Sequence, residues 1–310
     1  MHIRILGSAA GGGFPQWNCG CANCVAVRRN AQANSTLKPR TQAQIALSAD
    51  SSSWFLAGAS PDLHLQIENT KALHPRALRD SPIAGVVLGG ADLDHVVGLL
   101  LLRELQPLRV YAARSILRIL RDENSMFGML NRVEPQVVWT PMSSGKAFPL
   151  LSADGKDSGL RCEVLFISGR YPKYVKTDAA HLGDNEAGAA LFFESASGKR
   201  LAYLPAIGNL TDRLIEKIQG VDLLLFDGTF WSDDELIQIQ GSGQTARQMG
   251  HVPVSSEQGS LHLLAGLKRP RKVFVHINNT NPMLDESGPE SRQVREAGWE
   301  IAEDGWHIEL

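Results

Sequence analysis

No apolar run in the sequence approaches the ~18 residues that a membrane-crossing helix needs, which argues against a helical membrane anchor. Charge of one sign is also missing: 31 basic and 33 acidic side chains leave a formal net charge of −2 over 310 residues, so no electrostatic footprint for nucleic acid or a membrane surface is expected. A neutral or acidic small partner fits better. The opening Met1-His2-Ile3-Arg4-Ile5-Leu6 alternates like a strand and lacks a signal-peptide layout, so the expectation is a soluble cytoplasmic protein. Cysteine is scarce as well, with four in the chain and three of them inside six residues. That is poor disulfide material, and it points to metal or redox chemistry. The glycine-rich turn Gly7 to Pro15 lacks the Lys-Ser/Thr pair of a phosphate loop and the GxGxxG spacing of a dinucleotide site, so it reads as a tight loop that lets backbone approach an active site.

The most informative stretch runs from Gly85 to Gly98. Gly85-Val86-Val87-Leu88 is a short apolar run without a polar face, the pattern of a strand covered on both sides, and Gly89-Gly90 ends it. Asp94 and His95 follow, a carboxylate and an imidazole that a loop can turn toward one cation, with Asp92 as a third candidate. Val96 to Arg103 is expected to form a largely buried helix. Near the N-terminus, Cys19, Cys21 and Cys24 have the C-x-C-x-x-C spacing that lets three thiolates reach one tetrahedral ion, typically Zn²⁺ in a structural site. The alternative is three reduced thiols in a loop covering about 16–26. Cys162 is a fourth sulfur by count, but its apolar run favours a buried core residue.

The rest of the chain reads as strands alternating with helices, then as a more β-rich half from Val137. Residues 27–40 are polar and expected to be exposed. Thr41 to Ser48 and Trp54 to Leu56 read as a hairpin, Asp62 as a capping acid or an orienting group, and Arg114 to Leu130 as helical. His64 and His74 read as surface residues. The segment Gly169 to Lys176 is basic and aromatic, which suits either a lid carrying Arg170 toward a substrate or a solvated loop. Asp227 ends a buried strand, where an ionised carboxylate needs a cation or strong donors. His251 lies on a loop before a proline and suits proton transfer, with a functionless polar loop as the alternative. His276 ends the strand that starts at Lys272, and an amide-rich loop follows it.

Strand, Asp-His pair and helix together resemble the metallo-β-lactamase superfamily. In that resemblance Gly90 and Asp92 stand where two metal histidines belong, while Asp94 and His95 match, which implies one metal rather than two. Asp227 matches the superfamily's metal-bridging aspartate and His276 its last histidine. His181 stands near the position of a third histidine, as a leftover ligand or a substrate contact. Asn279 lies where related phosphodiesterases with an N-terminal cysteine cluster carry a zinc-binding histidine, so it or a water is the implied fourth zinc ligand. The stretches Leu6 to Cys24 and His276 to Pro282, with Ser60-Pro61-Asp62-Leu63, Leu93-Asp94-His95, Asp227-Gly228-Thr229 and Met249-Gly250-His251 between them, resemble the coenzyme pyrroloquinoline quinone (PQQ) synthesis protein B family from end to end. That family usually has a Thr-acid pair where this chain has Gly89-Gly90.

The implied architecture is α/β: a single domain over 1–310, an αββα metallo-β-lactamase sandwich with the cysteine-rich loop at its start. One carboxylate and two imidazoles from Asp94, His95 and His276 leave coordination positions open, for Zn²⁺ with an activated water or for Fe²⁺ with O₂ and a phenol. The resemblance implies iron-dependent hydroxylation of a tyrosine-derived ring, an oxidoreductase role in PQQ biosynthesis. Asp94, His95 and His276 are then ligands, Asp227 a further ligand or base, His251 the proton carrier, and Asp92, His181 and Arg170 substrate contacts. A carrier that binds PQQ for transport is the alternative, followed by a hydrolase of the phosphodiesterase kind. The small-molecule precursor or PQQ is the expected partner, with other PQQ biosynthesis proteins and a homodimer compatible with the pattern.

Overall fold

The computed structural model describes residues 1–29, 36–134, 136–175, 181–183 and 185–310. Its strands are β1 (His2–Gly7), β2 (Gln44–Ser48), β3 (Trp54–Ala57), β4 (Ile83–Val87), β5 (Leu108–Ala113), β6 (Val137–Met142), β7 (Phe148–Leu151), β8 (Asp157–Ile167), β9 (Gly188–Ser195), β10 (Arg200–Leu204), β11 (Leu223–Asp227), β12 (Arg271–Val275), β13 (Trp299–Ile301) and β14 (His307–Glu309). They form two seven-stranded sheets, ordered β14-β1-β2-β3-β4-β5-β6 and β13-β12-β11-β10-β9-β8-β7. The helices are α1 (Ala22–Arg29), α2 (Leu63–Glu68), α3 (Leu93–Val96), α4 (Arg114–Arg121), α5 (Asp212–Gln219), α6 (Glu235–Gln240), α7 (Ser260–Leu263) and α8 (Pro289–Glu296).

The chain divides into two compact units. One comprises Met1–Leu6, Gln44–Arg200 and Gly305–Leu310, the other Gly7–Ala43 and Leu201–Asp304. In the first unit β3, β4 and β5 pair in parallel. Their buried, β-branched residues join Val96, Leu99 and Ile116 in one core, as expected of strands covered on both faces. In the second unit β10, β11, β12 and β13 form a parallel ladder. Phe274 stacks on Trp299 there, with ring centroids 4.2 Å apart. Register matters for the site: Asp227 lies opposite Val275, so the residues that follow both strands emerge side by side. The carboxyl ends of parallel strands are the usual place for a binding site.

Several expectations change. Residues 27–40 are not uniformly exposed, because Val27 and Arg40 are buried; residues 30–35 lie outside the described ones. Arg40 is buried because Nη1 donates to Ser8 Oγ at 3.0 Å and to the Ala302 carbonyl. Nearby, Asp304 accepts from Ser8 Oγ at 2.7 Å and from the Thr41 amide at 2.6 Å. Asp62 stands at the head of α2 but makes no side-chain cap; instead its amide donates to Ser60 Oγ at 3.0 Å. The helix expected from Val96 begins earlier, as the single turn α3, and continues as a 3-10 helix over Val97–Leu102. Gly98 explains the tight course: a Cβ there would stand 2.3 Å from the Ser60 carbonyl oxygen. The run from Arg114 breaks after α4 and resumes as a 3-10 helix over Ser125–Asn131.

Candidate metal centres

In the first unit, α3 delivers the Asp-His pair. The His95 amide donates to the Asp92 carbonyl at 2.9 Å, and the His95 carbonyl accepts from the Ala59 amide at 2.7 Å, so the turn is clamped onto the loop after β3. Asp94 Oδ2 and His95 Nε2 are 3.7 Å apart, with both side chains largely buried. Asp92 heads the same turn without capping it and is exposed. Gly89 and Gly90 have a packing reason: Gly90 bridges Gly188 at the start of β9, and a Cβ on Gly90 would stand 3.2 Å from the Ala187 carbonyl. The absent side chains let backbone approach backbone.

The segment expected to be either a lid or a solvated loop is tethered here too. Tyr174 donates from its hydroxyl to the Ala91 carbonyl at 2.5 Å. Burial, with the Asp92 charge adding to it, pushes the Tyr174 phenol up to about 12. Arg170 on the same segment is exposed, whereas Lys176 lies outside the described residues. His181 Nε2 lies 2.5 Å from Glu123 Oε1, and His181 belongs to none of the metal-ligand groups among the described residues.

The second unit holds a buried polar network at the ends of β11 and β12. Asp227 is fully buried and has four donors. Oδ1 accepts from the Thr229 amide at 3.0 Å and the Thr229 hydroxyl at 2.6 Å. Oδ2 accepts from the Ile207 amide at 2.8 Å and from His251 Nδ1 at 2.8 Å. Burial works against ionisation, but the neighbouring His251, His276 and Thr229 outweigh it and hold the carboxyl below the usual carboxylate range. The His251 and His276 rings stack at 5.5 Å, and Phe230 and His251 meet in a T-shaped pair. His276 adopts φ = +56°, a conformation that costs a non-glycine residue and recurs at functional sites. Asp227, His251 and His276 together form a group able to hold a metal. The glycine-rich turn behaves as expected, because its backbone pairs with the residue after His276: the Ala10 amide donates to the Ile277 carbonyl at 2.9 Å.

A third cluster gathers Cys19, Cys21 and Cys24, whose sulfurs lie within 4.8 Å of one another. Asn279 Nδ2 reaches all three, at 3.1, 3.6 and 3.4 Å. Burial opposes ionisation of Cys19, but donors from Cys21, Cys24 and Asn279 bring its thiol below the ordinary value. Burial pushes the Cys24 thiol up to about 11. Soft sulfur donors meeting at one point suit a zinc-type cation, which would remove the cost of packing sulfur anions together. Cys162 is a wholly buried core residue, as its apolar run suggested.

Sequence reasoning gave no role to Thr229, the hub of the Asp227 network, nor to Asn23, whose side chain ties α1 to the carbonyls of Asn279 and Asn281 at 3.2 and 3.1 Å. The signals for Thr229 were its place two residues after the strand-end Asp227 and its membership of the stretch Asp227-Gly228-Thr229 that carries the family resemblance.

A family profile described as "Beta-lactamase superfamily domain" matches residues 53–277. The chain is 42% identical over 312 residues to coenzyme PQQ synthesis protein B of Methylobacterium radiotolerans, and 42% identical over 315 residues to that of Rhodopseudomonas palustris, with all of each protein covered. The chain belongs to the coenzyme PQQ synthesis protein B family. A crystal structure of Zn²⁺-bound PqqB from Methylobacterium extorquens is 39% identical over the full length of both chains, with a TM-score of 0.90. A diphosphatase of the PhnP family shares the fold at a TM-score of 0.67 and 18% identity, covering 100% of this chain and 97% of its own. The family thus carries the α/β metallo-β-lactamase fold that the sequence motifs implied.

Proposed function

We propose that this protein acts in pyrroloquinoline quinone biosynthesis as an iron-dependent hydroxylase of a tyrosine-derived precursor. Support for the pathway comes from relatives that share its full length and are named for PQQ synthesis. The observation that carries the catalytic reading is the Asp227–His251 pair, with His251 Nδ1 2.8 Å from a buried carboxylate oxygen. A carboxylate that orients an imidazole through one nitrogen makes the other nitrogen a competent acid or base. His251 would exchange the proton of the ring substrate. Because Asp227 already accepts from four donors, it acts in this reading by orienting His251.

Asp94, His95 and His276 are proposed as the ligands of the active-site metal, Fe²⁺ or Zn²⁺. Bound iron would supply oxygen chemistry and bound zinc an activated water. Cys19, Cys21 and Cys24, with the Asn279 side-chain oxygen or a water as fourth donor, are proposed to hold a structural zinc, in keeping with the zinc bound by the Methylobacterium extorquens relative. Asp92 and Arg170 are proposed to meet the substrate. His181 is the weaker candidate because Glu123 holds it, which also weighs against a second metal and a hydrolase. The reading treats 1–310 as one domain of a cytoplasmic protein whose partners are the small molecule and other proteins of the pathway. No helix among the described residues is long and apolar enough to cross a membrane.

The test is to purify the protein without oxygen, load Fe²⁺ or Zn²⁺, and add a catechol or a tyrosine-derived diamino acid. Iron-dependent oxygen uptake with a hydroxylated product is expected. Absence of uptake, together with tight binding of PQQ, would overturn the hydroxylase in favour of the carrier.

A further inference from the structure

Thr229 sits where a single hydroxyl proton must serve several neighbours. Its Oγ1 lies 2.6 Å from Asp227 Oδ1, 2.9 Å from the His276 carbonyl, 2.8 Å from His276 Nδ1 and 3.1 Å from His251 Nδ1. Two of these neighbours, the carboxylate and the carbonyl, can only accept. If the proton pointed at either ring, Oγ1 would present lone pairs to an ionised, buried carboxylate oxygen at 2.6 Å. That contact is repulsive, whereas a hydroxyl donating to a carboxylate is among the stronger hydrogen bonds. The proton is therefore committed to Asp227 or shared with the His276 carbonyl, and Oγ1 is left to accept.

The consequence falls on His276. A bare Nδ1 facing an accepting oxygen at 2.8 Å would set lone pair against lone pair, so Nδ1 must carry the hydrogen. His251 Nδ1 is committed likewise by Asp227 Oδ2 at 2.8 Å. We infer that Thr229 is a positioning residue that fixes His276 as its Nδ1–H tautomer, placing the ring's lone pair on Nε2 for a metal. A metal-ligating histidine commonly donates its other N–H to such a partner, and losing that partner typically costs about 10–100-fold in metal affinity. The part of this inference that concerns metal rests on His276 being a ligand, while the tautomer does not.

The two parts are tested separately. In the metal-free protein, ¹⁵N spectra of the imidazole side chains report the tautomer directly, with His276 identified by the signals lost in His276→Ala. Wild type and Thr229→Ser are expected to show His276 as Nδ1–H, and Thr229→Val to show a shift toward Nε2–H. Zinc titration should then weaken about 10–100-fold in Thr229→Val at the site that His276→Ala abolishes, and recover in Thr229→Ser. An Nε2–H signal for His276 in wild type overturns the inference, as does an unchanged tautomer in Thr229→Val. Should Thr229→Val not fold, the wild-type tautomer and that of Thr229→Ser decide. Nδ1–H in wild type with zinc binding indifferent to His276→Ala would retain the role of Thr229 and overturn the ligand assignment alone.

Discussion

His276 and Asn279 are three residues apart and serve different clusters: His276 Nδ1 stands 2.8 Å from Thr229 Oγ1, and Asn279 Nδ2 stands 3.1 Å from Cys19 Sγ. The loop that carries both is braced at several points. The Asn278 amide donates to the Thr229 carbonyl at 3.0 Å, the Thr280 hydroxyl donates to Glu235, and Asn281 Nδ2 donates to the Gly228 carbonyl at 2.9 Å. The cysteine cluster thus anchors the loop that presents His276.

Removal of one sulfur tests that coupling. Cys24→Ser is expected to lower bound zinc by one equivalent, measured by elemental analysis. It should also lower Tm by about 5–10 °C, since losing a few kcal/mol of metal binding costs roughly 2 °C per kcal/mol in a chain of this size. An unchanged zinc content would contradict the assignment.

Glu235 makes a pH-dependent prediction. Burial is the largest influence on it, and the carboxyl is pushed up to about 7, against ~4.3 for an unfolded chain. Between those values the native state keeps a proton that the unfolded chain has released. Stability from this group is therefore full below ~4.3 and declines as pH rises to about 7, by on the order of 4 kcal/mol. Calorimetry should show Glu235→Gln with a shallower fall in Tm from pH 5 to pH 8 and a higher Tm than wild type at pH 8. Parallel Tm curves for the two proteins would refute it.

Gly98→Ala should be costly, because the added Cβ would land 2.3 Å from the Ser60 carbonyl oxygen beside the turn that carries His95. A loss of about 2–3 kcal/mol is expected from urea unfolding, the upper range for overpacking. A loss below ~0.5 kcal/mol would mean that the 58–60 loop yields.

Replacing the proposed proton carrier separates chemistry from assembly. His251→Gln should lower turnover about 10²–10⁴-fold while leaving metal content unchanged. Asp227→Asn should lower turnover and also cost about 1–3 kcal/mol, because an amide cannot satisfy all four donors that Asp227 accepts. Equal activity in His251→Gln would remove His251 from the reaction.

Strand ends were legible because a buried run that stops at an acid or a histidine announces itself, as at Asp227 and His276, whereas Asp94 stands beyond the end of β4, on α3. The bonding role of Thr229 was not legible: the stretch Asp227-Gly228-Thr229 marks the family, but the threonine acquires its partners only when β11 and β12 align. Arg40 lies in a polar stretch, and nothing local reveals Ala302 and Asp304 waiting far along the chain. The helix α1, which takes in Cys24 but not Cys19 or Cys21, was hidden because ligand spacing dominates that segment. The interrupted helical runs at Gly98 and after Arg121 show tertiary fit overriding an apolar pattern. Asp62 shows the converse, a residue of capping type at a helix start whose side chain makes no cap.

The central claim, metal-dependent action in PQQ biosynthesis through His276, is most directly tested by complementation. PQQ released by a bacterial strain lacking its own PQQ synthesis protein B would be measured after supplying either the wild-type chain or His276→Ala at matched protein levels. The account predicts that wild type restores PQQ and His276→Ala does not. Equal PQQ from both would contradict it.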